Sequence, residues 1–184
     1  MVEVEQKFRA VNFDLLEQKL RSLGAVESER QAEADHYFSA PDRDFAKTDE
    51  ALRIRRIGTS NRVTYKGPKR DQHTKTRTEI EVPLADGEET AEEFARLLVQ
   101  LGYRPVAVVR KDRRTFHLKR DGFDLAVTLD DVRDVGLFAE LEIGVAEEQL
   151  DAARATLLRA ATELGLTNPE RRSYLEMLLS KQGK

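Results

Sequence analysis

The first strand-like segment of the chain carries three charged side chains at alternating positions. In "EVEQK", Glu3, Glu5 and Lys7 fall on one face of a strand, opposite a valine and a glutamine. Two carboxylates beside an ammonium group are typical of a solvated strand face. The same three groups also suit half of a site for a metal ion and an anion.

Charged residues recur in phase along later segments. They are Arg53 with Arg55, Lys66, the trio Arg77, Glu79 and Glu81, Lys111 with Arg113, Glu140 with Glu142, and Asp130 at the end of another alternating segment. For any one strand, a sheet with one face on the core and one face in water accounts for the pattern. Taken together, the positions hold both signs of charge and few neutral polar residues. If they face inward, they need a ligand or ions to balance them.

Eight strands are predicted to position these residues, with few connections long enough for parallel crossovers, so that an antiparallel sheet dominates. They span residues 2–9, 34–39, 51–57, 62–66, 77–83, 106–119, 123–130 and 137–145. Helices are predicted over residues 13–23, 91–101 and 147–164, with a last one beginning at Asn168-Pro169. The apolar stripes of the helices must cover the apolar faces of the strands. We therefore expect an α+β fold, and if the sheet curls towards closure with helices outside, its charged faces point inward into a tunnel.

Local signals support these boundaries. Asn12 is a good N-cap for the first helix, and "TAEE" at 90–93 is a capping-box pattern for the second. "EVE" leads through a helix to "LGA", and "EIE" leads through a helix to "LGY", which indicates two related halves. The polar segment 67–76 is predicted to be a mobile loop.

Composition bounds the class of protein. With 184 residues, 40% hydrophobic and 35% charged, the chain is predicted to form one globular domain over residues 1–184. No apolar run approaches the roughly 20 residues that cross a bilayer, and the N-terminus does not resemble a signal peptide, so we expect a cytoplasmic protein without a membrane partner. The net charge of −3 does not indicate a basic surface for binding nucleic acid. The absence of cysteine excludes thiolate chemistry and disulfides.

The charged interior predicts a particular chemistry. Paired carboxylates on adjacent strands supply the hard oxygen ligands that Mg²⁺ or Mn²⁺ prefers, and converging Arg and Lys side chains suit a polyanion. Phosphoryl transfer needs mainly positioning and charge stabilisation, so it requires no special nucleophile. P-loop and dinucleotide-binding signatures are missing, and His36, His73 and His117 lack zinc spacing.

The ordered motifs resemble the CYTH domain of the triphosphate tunnel metalloenzymes over essentially the whole chain. "EVEQKF" looks like the ExExK signature of that family. It is followed in order by "DHYF", "LRIR", "YKGP", "RTEIEV", "VRKDRRTF", "LDDVRDVGLFAELEI" and "RRSYLEMLL". The resemblance implies an eight-stranded antiparallel β-barrel tunnel with helices outside.

The resemblance also assigns roles to residues. It implies that the metal ligands are Glu3, Glu5, Asp130, Glu140 and Glu142, and that the triphosphate is held by Lys7, Arg53, Arg55, Lys66, Lys111 and Arg113, with Arg77 as a further contact. Among these, Lys66, Lys111 and Arg113 are the expected catalytic cations. Glu79 and Glu81 match the motif without a defined role, and Tyr174 lies on a terminal helix that packs near one tunnel mouth in relatives.

Within the family, the chain resembles the class IV adenylyl cyclases most, which implies conversion of ATP to cyclic AMP and pyrophosphate. The alternative is a triphosphatase acting on thiamine triphosphate, inorganic tripolyphosphate or a nucleoside triphosphate. A lesser alternative is a non-catalytic binder of polyphosphate or nucleotides, which would not need the carboxylates. The resemblance also allows a homodimer.

Overall fold

A computed structural model of the protein describes residues 2–68 and 78–183, and its eight strands form one antiparallel sheet. They are β1 (Val2–Arg9), β2 (Val26–Ser39), β3 (Ala51–Ile57), β4 (Ser60–Lys66), β5 (Glu79–Leu84), β6 (Arg104–Arg120), β7 (Phe123–Val132) and β8 (Gly136–Val145). Each corresponds to a predicted strand. β2 begins at Val26 instead of residue 34, because pairing with the long β6 extends it through a polar segment that does not alternate.

The sheet curls into a half-barrel, which confirms the α+β class and the expected tunnel fold. The strand order is β1-β8-β7-β6-β2-β3-β4-β5, so that β1 and β5 are its two ends. These ends approach each other across the concave side, where Glu79 of β5 and Lys66 of β4 act electrostatically on Glu3 of β1. The charged positions of the strands therefore face one shared space.

The strand order also reflects the two related halves. Read from one end, the sheet runs β1-β8-β7-β6, and read from the other it runs β5-β4-β3-β2. Exchanging the halves β1–β4 and β5–β8 therefore maps the sheet onto itself. β1 pairs with β8 of the second half, and β5 pairs with β4 of the first half. Each half therefore needs a strand of the other to complete its part of the sheet.

Within the described part of the chain, five helices accompany the sheet: α1 (Phe13–Ser22), α2 (Phe45–Thr48), α3 (Glu88–Gln100), α4 (Leu150–Leu164) and α5 (Tyr174–Lys181), with a 3-10 turn at Glu147–Gln149. α1 and α4 pack on the outer face, where Leu125, Leu141 and Ile143 are fully buried. α3 covers a second cluster around Ile54 and Leu98. α2 was not predicted, because four residues are too few to show helical periodicity. No helix of the described ranges is long and apolar enough to cross a membrane.

Three predicted helix starts differ from the structure. α4 begins at Leu150 rather than at residue 147, because Glu147–Gln149 form the 3-10 turn. α5 begins at Tyr174 rather than at Asn168-Pro169, because the backbone there is used by β1: the Arg9 amide donates to the Asn168 carbonyl at 3.0 Å. Ser173 caps the helix instead, in a capping box with Glu176. α3 begins at Glu88, before the predicted box, and its N-cap Gly87 makes no side-chain cap bond. The predicted Asn12 cap is confirmed, since its side chain accepts from two amides of α1.

α5 differs from the helices on the outer face. It packs against Val109 and Phe138, which are in phase with the charged residues of β6 and β8 and so belong to the inner face. The inner face becomes apolar at this end of the sheet, and α5 covers it. Met177 and Leu178 of α5 are buried in that contact.

Candidate active site

A cavity of about 510 Å³ occupies the concave side of the sheet, and the structure gathers there ten of the twelve residues predicted for the site. The ten lining residues are Glu3, Glu5, Lys7, Arg53, Arg55, Lys66, Lys111, Arg113, Glu140 and Glu142. The motif residues Glu79 and Glu81 line it as well. Asp130 lies beneath the surface, and Arg77 falls outside the described residues, as do residues 69–76 of the predicted loop.

Seven charged residues of the middle strands form what we call the floor of the cavity: Glu33, Asp35, Arg53, Arg55, Lys111, Arg113 and Asp130. Asp35 organises one side of it. Its carboxylate accepts one bond from Arg53 at 3.1 Å and two from Arg55 at 2.7 and 2.8 Å. Burial alone would raise the pKa of Asp35, but the two guanidinium groups outweigh burial and hold this pKa well below its usual range. Both arginines are thereby fixed as charged forks.

Glu33 connects the two sides of the floor. Its carboxylate lies 3.0 Å from Lys111 Nζ and 3.1 Å from Arg55 Nη2, and Arg113 Nε is 3.9 Å away. Burial raises the pKa of Glu33, yet these cations bring it below its ordinary value. Sequence reasoning missed Glu33 and Asp35 as site residues. Part of the signal was present in the sequence. Asp35 lies on the predicted strand 34–39 and shares a face with Tyr37, which lines the cavity, whereas Glu33 precedes that predicted strand.

Arg113 and Asp130 complete the floor. Arg113 donates from Nε and Nη2 to the two oxygens of Asp130 at 2.7 and 2.5 Å, and also to Glu140 at 2.7 Å. Asp130 is fully buried and accepts a third bond, from the Tyr174 hydroxyl at 2.8 Å. Oδ1 accepts one of these bonds and Oδ2 accepts two, so a metal ion held by Asp130 would share its carboxylate with Arg113 and Tyr174.

Lys7 sits where β1 meets the C-terminal segment. Its ammonium group donates to the Arg172 carbonyl and lies 4.2 Å from the centre of the Tyr174 ring. The side chain is 2% exposed, although it reaches the cavity wall. Lys7 is therefore the most enclosed of the predicted phosphate contacts on β1, β3 and β4.

Four carboxylates of β1 and β8 form a second region, which we call the acidic wall: Glu3, Glu5, Glu140 and Glu142. Glu5 and Glu142 are directly paired across the two strands. Burial, followed by the charges of Glu3, Glu5 and Glu140, raises the pKa of Glu142 to about 7. Burial and the nearby Glu79 also raise the pKa of Glu3. The wall thus concentrates negative charge that a cation would relieve.

The acidic wall fits a hard divalent cation by its chemistry, since carboxylate oxygens are the preferred ligands of Mg²⁺ and Mn²⁺. Within residues 2–68 and 78–183, however, no three acidic or histidine side chains form a ready-made ligand cluster. A cation held here would therefore draw part of its coordination from water or from a bound phosphate, as Mg²⁺ commonly does.

The opposite wall, on β4 and β5, contains ion pairs. Lys66 lies 2.7 Å from Glu79, and Arg62 lies 3.0 Å from Glu81. Arg62 lines the cavity but was not predicted as a site residue. It was overlooked although it is in phase with Lys66 on the predicted strand 62–66.

Comparisons with known proteins agree with this geometry. The family model described as the CYTH domain matches residues 1–174. A Methanocaldococcus jannaschii protein named "Putative adenylate cyclase" is 37% identical over 180 residues, which covers 96% of this chain and 98% of that protein. The structure of the PH1819 protein from Pyrococcus horikoshii superposes with a TM-score of 0.84 at 38% identity, covering 97% of this chain and 99% of that one.

A more distant structure is informative about the fold. It is a Hippeastrum protein whose description gives it as a "putative adenylyl cyclase" with a dominant triphosphatase activity. It superposes with a TM-score of 0.67 at 14% identity, covering 97% of this chain and 95% of that one. The match of the family model over nearly the whole chain, together with the 37% identity, shows that this protein belongs to the CYTH domain family.

Proposed function

We propose that this protein is a metal-dependent enzyme that acts on a triphosphate bound in the concave cavity. CYTH triphosphate tunnel metalloenzymes use divalent metals, and members of the family are adenylate cyclase-like or triphosphatase enzymes. The observation that carries the proposal is the opposition of two charged regions in one cavity. The guanidinium groups of the floor and the carboxylates of the acidic wall line one cavity of about 510 Å³, and Arg113 connects the two regions through its bond to Glu140.

The cations of the cavity are assigned to the triphosphate. Arg53, Arg55 and Arg113 present planar forks that suit phosphate oxygens, and their carboxylate partners keep them in place before substrate arrives. Lys66 and Lys111 add point charges, and with Arg113 they would stabilise the charge that develops on the phosphates in the transition state. Lys7 would bind phosphate from the side of β1. We keep Arg77 as a further phosphate contact.

The acidic wall is assigned to Mg²⁺ or Mn²⁺. Glu3, Glu5, Glu140 and Glu142 would hold the ion, with Asp130 as a further ligand, and the ion would act as a Lewis acid on phosphate oxygens and lower the pKa of a bound hydroxyl group. Because Glu142 has a pKa of about 7, its proton leaves readily when a cation approaches near neutral pH.

The first candidate reaction is that of a class IV adenylate cyclase. The 3′-hydroxyl of ATP would attack the α-phosphorus, and the floor cations would stabilise the departing pyrophosphate. The name of the 37% identical relative supports this choice.

The second candidate is a triphosphatase, in which water attacks the terminal phosphorus of thiamine triphosphate, inorganic tripolyphosphate or a nucleoside triphosphate. The same floor and acidic wall would serve this reaction, because all of the contacts assigned above are made to phosphates. The description of the Hippeastrum protein indicates that this fold supports such hydrolysis.

Product analysis distinguishes these reactions. The purified protein is incubated with Mg²⁺ or Mn²⁺ and with ATP, thiamine triphosphate or tripolyphosphate, and the products are separated by ion-exchange chromatography. Cyclic AMP with pyrophosphate indicates the cyclase, and orthophosphate indicates a triphosphatase. If nothing turns over while tripolyphosphate raises the melting temperature, the protein is a binder and the enzyme proposal is wrong.

A further inference from the structure

Tyr174 connects the C-terminal helix to the charged cavity. It is the first residue of α5 and is 8% exposed, and its ring centre lies 5.1 Å from that of Phe138. The capping box of Ser173 and Glu176 fixes the backbone on its N-terminal side. The position of the ring is therefore set both by packing and by the helix cap.

The hydroxyl group of Tyr174 acts on the floor through Asp130. It donates to Asp130 Oδ2 at 2.8 Å, and the same oxygen accepts from Arg113 Nη2 at 2.5 Å. A phenol is protonated near neutral pH and the Asp130 carboxylate can only accept, so the hydroxyl group is the donor in this bond. The hydroxyl group therefore restrains the carboxylate that in turn orients the Arg113 fork.

The ring of Tyr174 also contacts two lysines. Lys7 Nζ lies 4.2 Å and Lys111 Nζ 5.5 Å from the ring centre, within the range of a cation–π interaction. With Arg113, three of the predicted phosphate-binding cations thus depend on one aromatic side chain, two through its ring and one through its hydroxyl group. A buried phenol needs a hydrogen-bond partner in any case, but here the partner is the carboxylate that holds Arg113.

We propose that Tyr174 is a positioning residue of the triphosphate site, which orients Arg113 through Asp130 and locates Lys7 and Lys111 against its ring. This inference rests on the proposed function. It means that α5 is part of the binding site, although none of its residues was predicted to touch phosphate. Seating of α5 and binding of triphosphate should then strengthen each other, because each depends on the same arrangement of Asp130 and Arg113.

Tyr174→Phe tests the hydroxyl group and leaves the ring in place. Binding of tripolyphosphate to the whole protein is measured by isothermal titration calorimetry, below the melting temperature of every variant. We expect the Kd to rise about tenfold, because a buried donor that orients a ligand-binding group is lost. Thr156→Val is the matched control: it removes another hydroxyl–carboxylate bond, from Thr156 of α4 to Asp121 at 3.1 Å on the outer face, and should leave the Kd unchanged.

A double-mutant cycle with Arg113→Lys separates positioning from packing. Lysine keeps the charge but cannot form the two-pronged bond to Asp130, so Tyr174→Phe should have little further effect on binding in that background. A purely structural role would lower the melting temperature equally in both backgrounds and leave the Kd of the single variant unchanged. Either an unchanged Kd in folded Tyr174→Phe or an equal loss in both backgrounds would overturn the proposal.

Two further outcomes are informative. If Tyr174→Phe does not fold, Asp130→Asn, which keeps the shape of the side chain, must show the same loss of affinity, and normal binding by that variant would refute the role of Tyr174. If the unaltered protein binds no triphosphate, the proposed function itself is wrong and this inference falls with it. Normal binding with unaffected variants would refute the inference alone.

Discussion

The floor and the acidic wall carry the same type of residue on the same face of one sheet, yet their carboxylates behave in opposite ways. Asp35 in the floor accepts three bonds from guanidinium groups, and its pKa is lowered. Glu142 in the acidic wall is surrounded by other acids, and its pKa is raised to about 7. Both side chains lose hydration, so the difference comes from the charges of their neighbours.

This contrast indicates that the floor and the acidic wall have different roles in the site. The floor pairs its four cations with three carboxylates, and Arg113 also bonds Glu140, so its arginines are oriented before any ligand arrives and little reorganisation is needed on binding. The acidic wall is left with an excess of negative charge that a metal ion would neutralise. We propose that half of the site is completed by folding and that the acidic wall is completed by a cation.

The largest expected effect comes from breaking the floor. Asp35→Ala leaves Arg53 and Arg55 buried without their main partner, and removal of one member of a buried ion pair costs about 3–5 kcal/mol. Denaturant unfolding monitored by circular dichroism measures this change. As a control, Asp124→Ala removes the acid of an ion pair with Lys119 that is mostly exposed, and should cost less than about 0.5 kcal/mol. Similar losses in the two variants would contradict the role given to the floor.

The acidic wall should respond in its activity more than in its stability. Glu5→Gln keeps the shape of the side chain but removes a proposed metal ligand, so we expect turnover to fall by roughly 100-fold or more while the fold is retained. The assay compares initial rates at saturating Mg²⁺ with those of Glu92→Gln, an exposed acid of α3. An unchanged rate in Glu5→Gln would remove this residue from the metal site.

The floor and the acidic wall should respond to substitution with stability changes of opposite sign. Glu142→Gln relieves the crowding of carboxylates, so in metal-free buffer at pH 8 the variant should be more stable than the unaltered protein by about 1–3 kcal/mol. Asp35→Ala should be less stable under the same conditions. If Glu142→Gln also destabilises the metal-free protein, the carboxylates of the acidic wall do not repel one another enough to destabilise the fold.

A smaller effect is expected from pH. The pKa of Glu142 is about 7 in the folded protein and near 4.5 when unfolded, so between these values the folded state holds more of the proton. Stability of the metal-free protein should therefore fall by about 1–2 kcal/mol as the pH rises from 5.5 to 8. Thermal unfolding at the two pH values checks this, and Glu142→Gln should lose this part of the pH dependence. A divalent metal ion should reduce it.

Much of the fold could be predicted because strands and helices have local periodicities. Alternation identified all eight strands, and Asn12 marked the start of α1. The errors arose where a partner distant in sequence decided the outcome. The segment after Leu166 appeared helical from Asn168-Pro169, but it pairs with β1, and α5 lies on the inner face because that face becomes apolar at Val109 and Phe138.

The candidate site divides in the same way. Ten of the predicted residues meet in the cavity, because residues in phase along a strand share a face wherever that strand is placed. Glu33 and Asp35 were missed, since their importance lies in ion pairs with Arg55 and Lys111 on other strands. The link from Tyr174 to Asp130 spans 44 residues of sequence and leaves no local pattern.

The sequence by itself determined which residue types occur and which of them share a face of a strand. Those properties depend on the backbone period of two and on nothing distant. Only the tertiary structure decided that Asp35 lies beside the arginines of β3 while Glu142 lies beside the acids of β1. The two carboxylates have similar local surroundings in the sequence, but electrostatic interactions act through space. Strand order, and not chain position, therefore makes one of them part of the floor and the other part of the acidic wall.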